Sequence, residues 1–211
     1  ILKRVGVTAI YVTHDQEDAF AVADRVAIMR QGCIVQEGRP QSVYLGPASA
    51  WVARFLGLSN LIPGRVVASE PLRVDTLLGE LALDHIPDRP SLGQEVTVLI
   101  RPDAAQMAAP SAPCLTGKET KGPQTGSAET DVGDDLLIEA TVSGCSFRGS
   151  HYRLTVLPAV GPELVFEMAS GASRLPATGE RMTLSLRRDA IGLLPEAPDE
   201  TSAQGPGPAC Q

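Results

Sequence analysis

The residues best suited to chemistry lie near the start of the sequence, where a histidine separates an apolar run from a predicted helix. Residues 8–12 form a short, β-branched and continuously apolar run, a composition typical of a strand buried on both faces. Asp15 is a good helix N-cap, and apolar residues recur at helical spacing after it. Ligands of open α/β sheets bind beyond the carboxyl ends of the strands, so His14 is predicted to face a ligand crevice. The alternative is a packed or solvent-facing histidine without a function.

The elements that must position this histidine continue as short strands and helices. Residues 25–30 and 33–36 are predicted to form two strands joined by a tight hairpin turn. We expect a short helix capped by Gln41 or Ser42, and then a further helix capped by Ser49.

From Leu61 onwards the apolar pattern changes from helical spacing to a period of two. Eight short strands are predicted, separated by Pro and Gly. They are residues 64–67, 72–75, 79–83, 96–100, 138–142, 152–156, 164–166 and 182–186. Strands of this length and spacing indicate a small barrel or sandwich.

Composition limits the classes of protein to consider. The chain has 211 residues, 43% of them hydrophobic, enough for one medium or two small domains with a real core. Residues 107–135 and 196–211 each carry a net charge of −3 and lack apolar periodicity, so we expect a disordered insertion and a disordered tail. The remainder is nearly neutral and offers no basic surface for nucleic acid.

Neither the apolar residues nor the cysteines indicate a membrane span or a metal site. There is no run of about eighteen apolar residues and no signal-peptide pattern, so we expect the chain neither to span nor to cross a membrane by itself. The four cysteines are scattered without the spacing of a zinc site.

Four segments in the first sixty residues, in this order and spacing, resemble the end of an ATP-binding-cassette (ABC) importer ATPase. The segments read VTHDQEDA (12–19), ADRVAIM (23–29), GCIVQEGRP (32–40) and ARFLG (53–57). The resemblance is to the branch that serves sugars, polyamines, iron and oxyanions. Further on, RPD (101–103) and FRGS (147–150) resemble the two sequence marks of the transport-associated OB (TOBE) domain that follows the cassette in this branch.

The resemblance implies a fold and one site residue. Residues 1–61 would be an α/β cassette remnant, the C-terminal part of a P-loop NTPase domain. Residues 62–195 would be an all-β OB-like barrel with the insertion at 107–135, followed by the tail at 196–211. His14 would be the catalytic switch histidine that contacts the γ-phosphate of ATP.

The resemblance also implies what this sequence lacks. It contains no G-x-x-x-x-G-K-[ST] loop, no signature stretch and no apolar run ending in Asp-Glu. We therefore expect a truncated C-terminal part, inactive alone, of a subunit that hydrolyses ATP when intact. Mg²⁺ and most of the ATP would be held by residues outside this sequence, since phosphoryl transfer depends on a phosphate-binding loop and a metal-holding aspartate.

Several partners follow from the resemblance: a second ATPase subunit in a homodimer, transmembrane permease subunits and, indirectly, a substrate-binding protein, but no nucleic acid. The subunit would act at the cytoplasmic face of the inner or plasma membrane and energise substrate uptake. The alternative is a non-catalytic regulatory OB module that binds an oxyanion.

Arg101 and Asp103 are the candidates for touching a small anion, or else they form a structural ion pair. His85 and His151 are expected at solvated surface positions.

Overall fold

The computed structural model describes residues 8–83, 90–107, 136–169 and 176–194. Contacts divide the chain into two compact units, and the division falls between Ser59 and Asn60. The predicted insertion beyond Met107 and the predicted tail at 196–211 lie outside the described residues. Met107 itself, which was assigned to the insertion, belongs to a strand and pairs with Leu184.

Within the described residues, the first unit contains three short helices and one β-hairpin. Its elements are α1 (Gln16–Val22), β1 (Val26–Arg30), β2 (Cys33–Gly38), α2 (Pro40–Leu45) and α3 (Ala50–Phe55). The predicted hairpin is confirmed, with Arg30 paired to Cys33 across a two-residue turn. Gln31 and Gly32 both have positive φ, 50° and 83°, as a type I′ turn requires.

Two of the three predicted helix caps are confirmed. The Asp15 side chain accepts a hydrogen bond from the backbone of α1, and the Ser49 side chain accepts one from the backbone of α3. The prediction that Gln41 or Ser42 caps α2 is wrong. This helix already begins at Pro40, before either predicted cap, because Pro40 has the fixed φ that suits a first helical residue, and Arg39 occupies the cap position without a side-chain bond.

The predicted strand at residues 8–12 is not formed. The residues carry no strand assignment, and Ile10 and Val12 are 93% and 91% exposed. A parallel strand needs hydrogen-bonding neighbours, and none of the strands in the described part of the chain pairs with this segment.

As far as the structure describes it, the second unit has ten strands and two 3₁₀ turns. Its strands are β3 (Leu61–Ser69), β4 (Leu72–Thr76), β5 (Gly79–Leu83), β6 (Glu95–Ile100), β7 (Ala105–Met107), β8 (Leu136–Phe147), β9 (His151–Pro158), β10 (Leu164–Ala169), β11 (Arg181–Leu186) and β12 (Ile191–Leu194). All eight predicted strands are present. β7 and β12, each three or four residues long, were not predicted, nor were the 3₁₀ turns Pro102–Ala104 and Arg188–Ala190 that precede them.

These strands form two five-stranded sheets of matching order. One sheet runs β12-β6-β3-β4-β5, and the other runs β7-β11-β8-β9-β10. Each sheet therefore takes four strands from one half of the unit and its fifth strand from the other half. The unit is an internal repeat of β3–β7 and β8–β12 in which the two halves exchange their last strands.

Details of the backbone are also the same in the two halves. The strand register shifts just after Val66 in β3 and just after Val142 in β8. The carbonyl of Val66 accepts a hydrogen bond from Gly93, and that of Val142 accepts one from Gly179, both at 2.8 Å. The sequence carries a weak trace of the repeat in PSLGQEVTVLIRPDAA (90–105) and PATGERMTLSLRRDAI (176–191), which share Pro, Gly, Thr and the ending Arg-x-Asp-Ala.

One hydrophobic core fills the space between the sheets. It contains residues from both halves, and its largest fully buried side chain is Phe166. Both 3₁₀ turns add a buried alanine, Ala104 or Ala190. The backbone amide of Arg101 donates to the Ala190 carbonyl at 2.9 Å, and that of Arg187 donates to the Ala104 carbonyl at 3.0 Å, so the two repeats are joined where their last strands cross.

Candidate functional site

His14 lies in the bend that immediately precedes α1, and its side chain is exposed. Two hydrogen bonds hold this bend. The amide of Asp15 donates to Thr13 Oγ1 at 2.9 Å, and the amide of Asp18 donates to Asp15 Oδ1 at 3.1 Å. No contact of the His14 ring with a hydrogen-bonding or charged partner is found within the described residues. As far as the described residues extend, the imidazole is therefore available to form a hydrogen bond with a ligand.

Helix α1, which carries this bend, is fastened to the rest of the first unit at both ends. The Gln16 side-chain amide donates to the backbone carbonyl of Phe55 in α3. At the other end, the Phe20 ring packs edge to face against the Tyr44 ring of α2, with 6.3 Å between centroids. Since no residue of α1 is fully buried, these two contacts hold the helix in place in the first unit, and with it the bend at His14 that precedes the helix.

A cleft of about 720 Å³ lies between α1 and α2, but His14 does not line it. Its lining is partly apolar and aromatic and partly polar or charged: Phe20, Ala23, Pro40 and Tyr44, with Asp24, Arg39 and Gln41.

The described residues contain no group of three or more His, Cys, Asp or Glu side chains able to hold a metal ion. None of their helices is long and apolar enough to cross a membrane.

Arg101 and Asp103, the candidates for a small-anion site, form a structural ion pair. Arg101 Nε donates to Asp103 Oδ1 at 3.0 Å, and Arg101 Nη1 donates to the backbone carbonyl of Asp189 at 3.1 Å. Arg187 from the other repeat also donates to Asp103, with 2.8 Å between Nη2 and Oδ2. Because these donors already serve protein oxygens, the pair holds the two 3₁₀ turns together and offers no open anion site.

The electrostatics of Asp103 agree with this role. Partial burial acts to raise the pKa of its carboxyl group, but the hydrogen bond and positive charge of Arg101, a bond from its own backbone and the charge of Arg187 together outweigh it. The pKa of Asp103 therefore lies below its ordinary value. The carboxylate is consequently ionised wherever the protein is near neutral pH.

Of the two other histidines, His151 is half-buried at the start of β9, and His85 lies outside the described residues. His151 Nδ1 is 3.2 Å from the hydroxyl of Ser150, and Nε2 is 3.8 Å from the carboxylate of Glu167. His151 is thus tied to its neighbours at the end of a hairpin.

Sequence reasoning missed Asn60, which is the only buried polar side chain in the described part of the chain, at 1% exposure. Its amide Nδ2 donates to the carbonyl of Val165 at 2.7 Å, and its Oδ1 accepts from the amide of Val165 at the same distance. The side chain thereby pairs with β10 as a neighbouring strand would. Leu58, Asn60 and Ile62 are alternately placed and all buried, so the period of two is the signal that could have identified Asn60 as inward-facing.

Residues 98–194 match the TOBE domain family. The Fe(3+) ions import ATP-binding protein FbpC of Rhizobium etli is 36% identical over 146 residues, which are 66% of this chain and 41% of that protein. The spermidine/putrescine import ATP-binding protein PotA of Ruegeria pomeroyi is 41% identical over 112 residues, or 53% of this chain and 31% of that protein. The chain thus spans less than half the length of each of these relatives.

Among solved structures, the cytoplasmic molybdate-binding protein ModG has a TM-score of 0.46 and 15% identity, covering 65% of this chain and 96% of that one. A similarity of this size has no bearing on function. The TOBE match and the two import proteins agree with the order of the sequence motifs. The chain is thus similar to import ATP-binding proteins, and its residues 98–194 match the TOBE domain family.

Proposed function

We propose that this chain is the C-terminal part of the ATP-binding subunit of an ABC import system, which hydrolyses ATP to drive substrate uptake. The similarity to import ATP-binding proteins over 66% of the chain carries this proposal. The subunit would use ATP with Mg²⁺. Most of the phosphate and metal contacts would come from residues outside this sequence, because the sequence contains no phosphate-binding loop of the G-x-x-x-x-G-K-[ST] type.

In this proposal His14 contacts the γ-phosphate of ATP and helps to hold the attacking water in line. Its exposed ring and its place directly before the N-terminus of α1 support the role. A histidine in such a place can donate a hydrogen bond to a phosphate oxygen as negative charge develops there in the transition state.

Residues 1–61 would be the α/β part of the proposed cassette, and residues 62–195 its OB-like domain. The exposed side chains of Ile10, Tyr11 and Val12 support the first assignment, because they suit a strand that is covered on both faces when further strands lie beside it. The hairpin β1–β2 adds exposed apolar side chains at Met29 and Ile34, which are cross-strand partners.

The proposed subunit would work as a homodimer at the cytoplasmic face of the inner or plasma membrane. ATP hydrolysis by the subunit would drive transport by permease subunits in the membrane, and a substrate-binding protein would deliver the substrate to them. Nucleic acid is not a proposed partner, because the chain has a net charge of −7.

The test is a steady-state ATPase assay on three proteins. The first is this chain alone, which we expect to be inactive. The second is a fusion in which the N-terminal part of the Rhizobium etli relative precedes the chain, and the third is the same fusion with His14→Ala. Loss of a hydrogen bond made in the transition state should lower turnover by about a hundredfold or more, whereas nucleotide binding should fall much less.

The matched control is His151→Ala in the same fusion, since it removes a histidine far along the sequence from the proposed site. It should leave turnover near that of the unmodified fusion. Hydrolysis of ATP by the chain alone would contradict the proposal. So would a His14→Ala fusion that turns over ATP at the normal rate.

A further inference from the structure

The internal repeat allows the surroundings of Asn60 to be compared with the equivalent place in the other half. Ile62 pairs with Val98, and Ile138 pairs with Leu184, at matching positions of the two sheets. Counting back two residues from Ile62 and from Ile138 makes Asn60 and Leu136 equivalent. The next pairing agrees, because Asn60 lies opposite Ile100 and Leu136 lies opposite Leu186, the last residue of β11.

The same comparison identifies the equivalent of Val165, the residue whose backbone Asn60 binds. Val165 pairs with Thr155 in one sheet, and Ala82 pairs with Arg73 in the other. These two pairs occupy the same position in their sheets, so Ala82 is the equivalent of Val165. Val165 uses its N–H and C=O for Asn60, so these groups point away from β9. Hydrogen-bonded and non-bonded pairs alternate in an antiparallel ladder, so the N–H and C=O of Ala82 likewise point away from β4, towards the side of β5 on which no described strand pairs.

The side chain beside Ala82 differs from the side chain beside Val165. Leu136 replaces Asn60, and a leucine side chain can neither donate to a carbonyl nor accept from an amide. A cleft of about 220 Å³ lies at this place, lined by both Ala82 and Leu136. β5 is an edge strand in the sheet order of the described strands.

We propose that this cleft binds a side-chain carboxamide, that of an asparagine or glutamine on an extended segment of a partner protein. The carboxamide pairs with the N–H and C=O of Ala82 as the Asn60 carboxamide pairs with those of Val165. The assignment goes beyond the proposed ATPase function and does not depend on it.

The shape of the cleft favours a single side chain as its occupant. Its volume is too small for a strand or helix, and its inner wall is apolar, with Leu81 and Ile191 at 2% and 8% exposure. Polar groups stand at its mouth, where Arg73 and Glu80 form an ion pair at 2.7 Å and Arg188 lies nearby. An inserted carboxamide would therefore have its methylene against the leucines and its parent backbone beside charged side chains.

A peptide titration of the full ¹⁵N-labelled chain tests the proposal. The probe is acetyl-Ser-Asn-Leu-N-methylamide, which copies residues 59–61 and has no other primary carboxamide. We expect it to shift the amide resonance of Ala82 in a saturable way. The resonance of Val165, which Asn60 already bonds, is the internal control and should not move. The same peptide with leucine in place of asparagine should leave Ala82 unchanged.

A variant tests the same site from within the chain. Leu136→Asn would place a carboxamide where Asn60 stands in the other repeat. We expect it to slow hydrogen exchange of the Ala82 amide by about tenfold or more and to abolish the peptide-induced shift. The matched control is Leu137→Asn, on the opposite face of β8, which should do neither.

Three results would overturn the proposal. One is an equal effect of the asparagine and leucine peptides on Ala82. Another is an Ala82 amide already protected from exchange as strongly as that of Val165 in the unmodified protein. The third is a shift of Ala82 by free acetamide but not by the peptide, which would assign the cleft to a small amide. The peptide titration uses the unmodified protein, so it decides the matter even if Leu136→Asn fails to fold.

Discussion

Replacing Asn60 by alanine should destabilise the second unit severely, and the structure allows the size of the effect to be worked out. The substitution removes two buried hydrogen bonds of 2.7 Å. Each such bond contributes about 1 kcal/mol net, and a buried donor or acceptor left without a partner costs about 1–3 kcal/mol. Water can reach part-buried Val165 in part, so we expect a loss of about 3 kcal/mol. That is a large fraction of the roughly 5–15 kcal/mol that stabilises a typical domain.

The assay is urea unfolding followed by NMR at Val156 and Leu184, which lie in the core of the second unit and so report on that unit. With a slope of about 1–3 kcal/mol per molar urea, the midpoint should fall by about 1–3 M. Asn60→Leu separates hydrogen bonding from packing, because leucine is the natural residue at the equivalent position in the other repeat. It should lose most of the same stability.

Ser59→Ala is the neighbouring control, and at an exposed position it should stay within about 0.5 kcal/mol of the unmodified protein. An Asn60→Ala protein that also stays within about 0.5 kcal/mol would refute the reasoning. It would mean that the pairing with β10 adds nothing to the stability of the barrel.

Three further predictions concern stability. Because the pKa of Asp103 is lowered in the folded protein, the stability that its carboxylate contributes is fully present above the ordinary pKa and is lost progressively as the pH falls from that value through the lower pKa of the folded protein. The free energy of unfolding should therefore decline more steeply below about pH 4 than it does in Asp103→Asn, as acid titrations of both would show. Gly64→Ala should lower the free energy of unfolding, measured in urea, by about 1–3 kcal/mol, because the added Cβ would lie 2.6 Å from Val74 Cγ1. Gly144→Ala is the control and should lower it much less, because its added Cβ meets nothing closer than 3.8 Å. Ser49→Ala should lower the stability of the first unit by about 1 kcal/mol through loss of the α3 cap, and an unchanged thermal midpoint of that unit would contradict this assignment.

The sequence by itself determined the features that depend on near neighbours. The period of two predicted all eight of the strands from β3 to β11 that exceed three residues, because alternation reports which face of a strand is buried. Asp15 and Ser49 were recognisable as caps because a cap bonds an amide three residues away. The order of the sequence motifs also predicted the resemblance to ABC importer ATP-binding subunits, and the TOBE match and the import relatives confirm that resemblance. The role of His14 remains a prediction.

The tertiary structure alone decided the features that depend on partners far along the chain. Residues 8–12 have the composition of a buried strand but lie exposed, because strand formation requires a neighbour that composition cannot supply. β7 and β12 are too short to show a period, and they are strands because each completes the sheet of the other repeat. Asn60 reaches Val165 across 105 positions of sequence, and Arg101 reaches Asp189 across 88. Asn60, which looks incidental in the sequence, and Arg101, which looks able to contact a small anion, are structural in the folded protein, since only folding brings their partners within bonding distance.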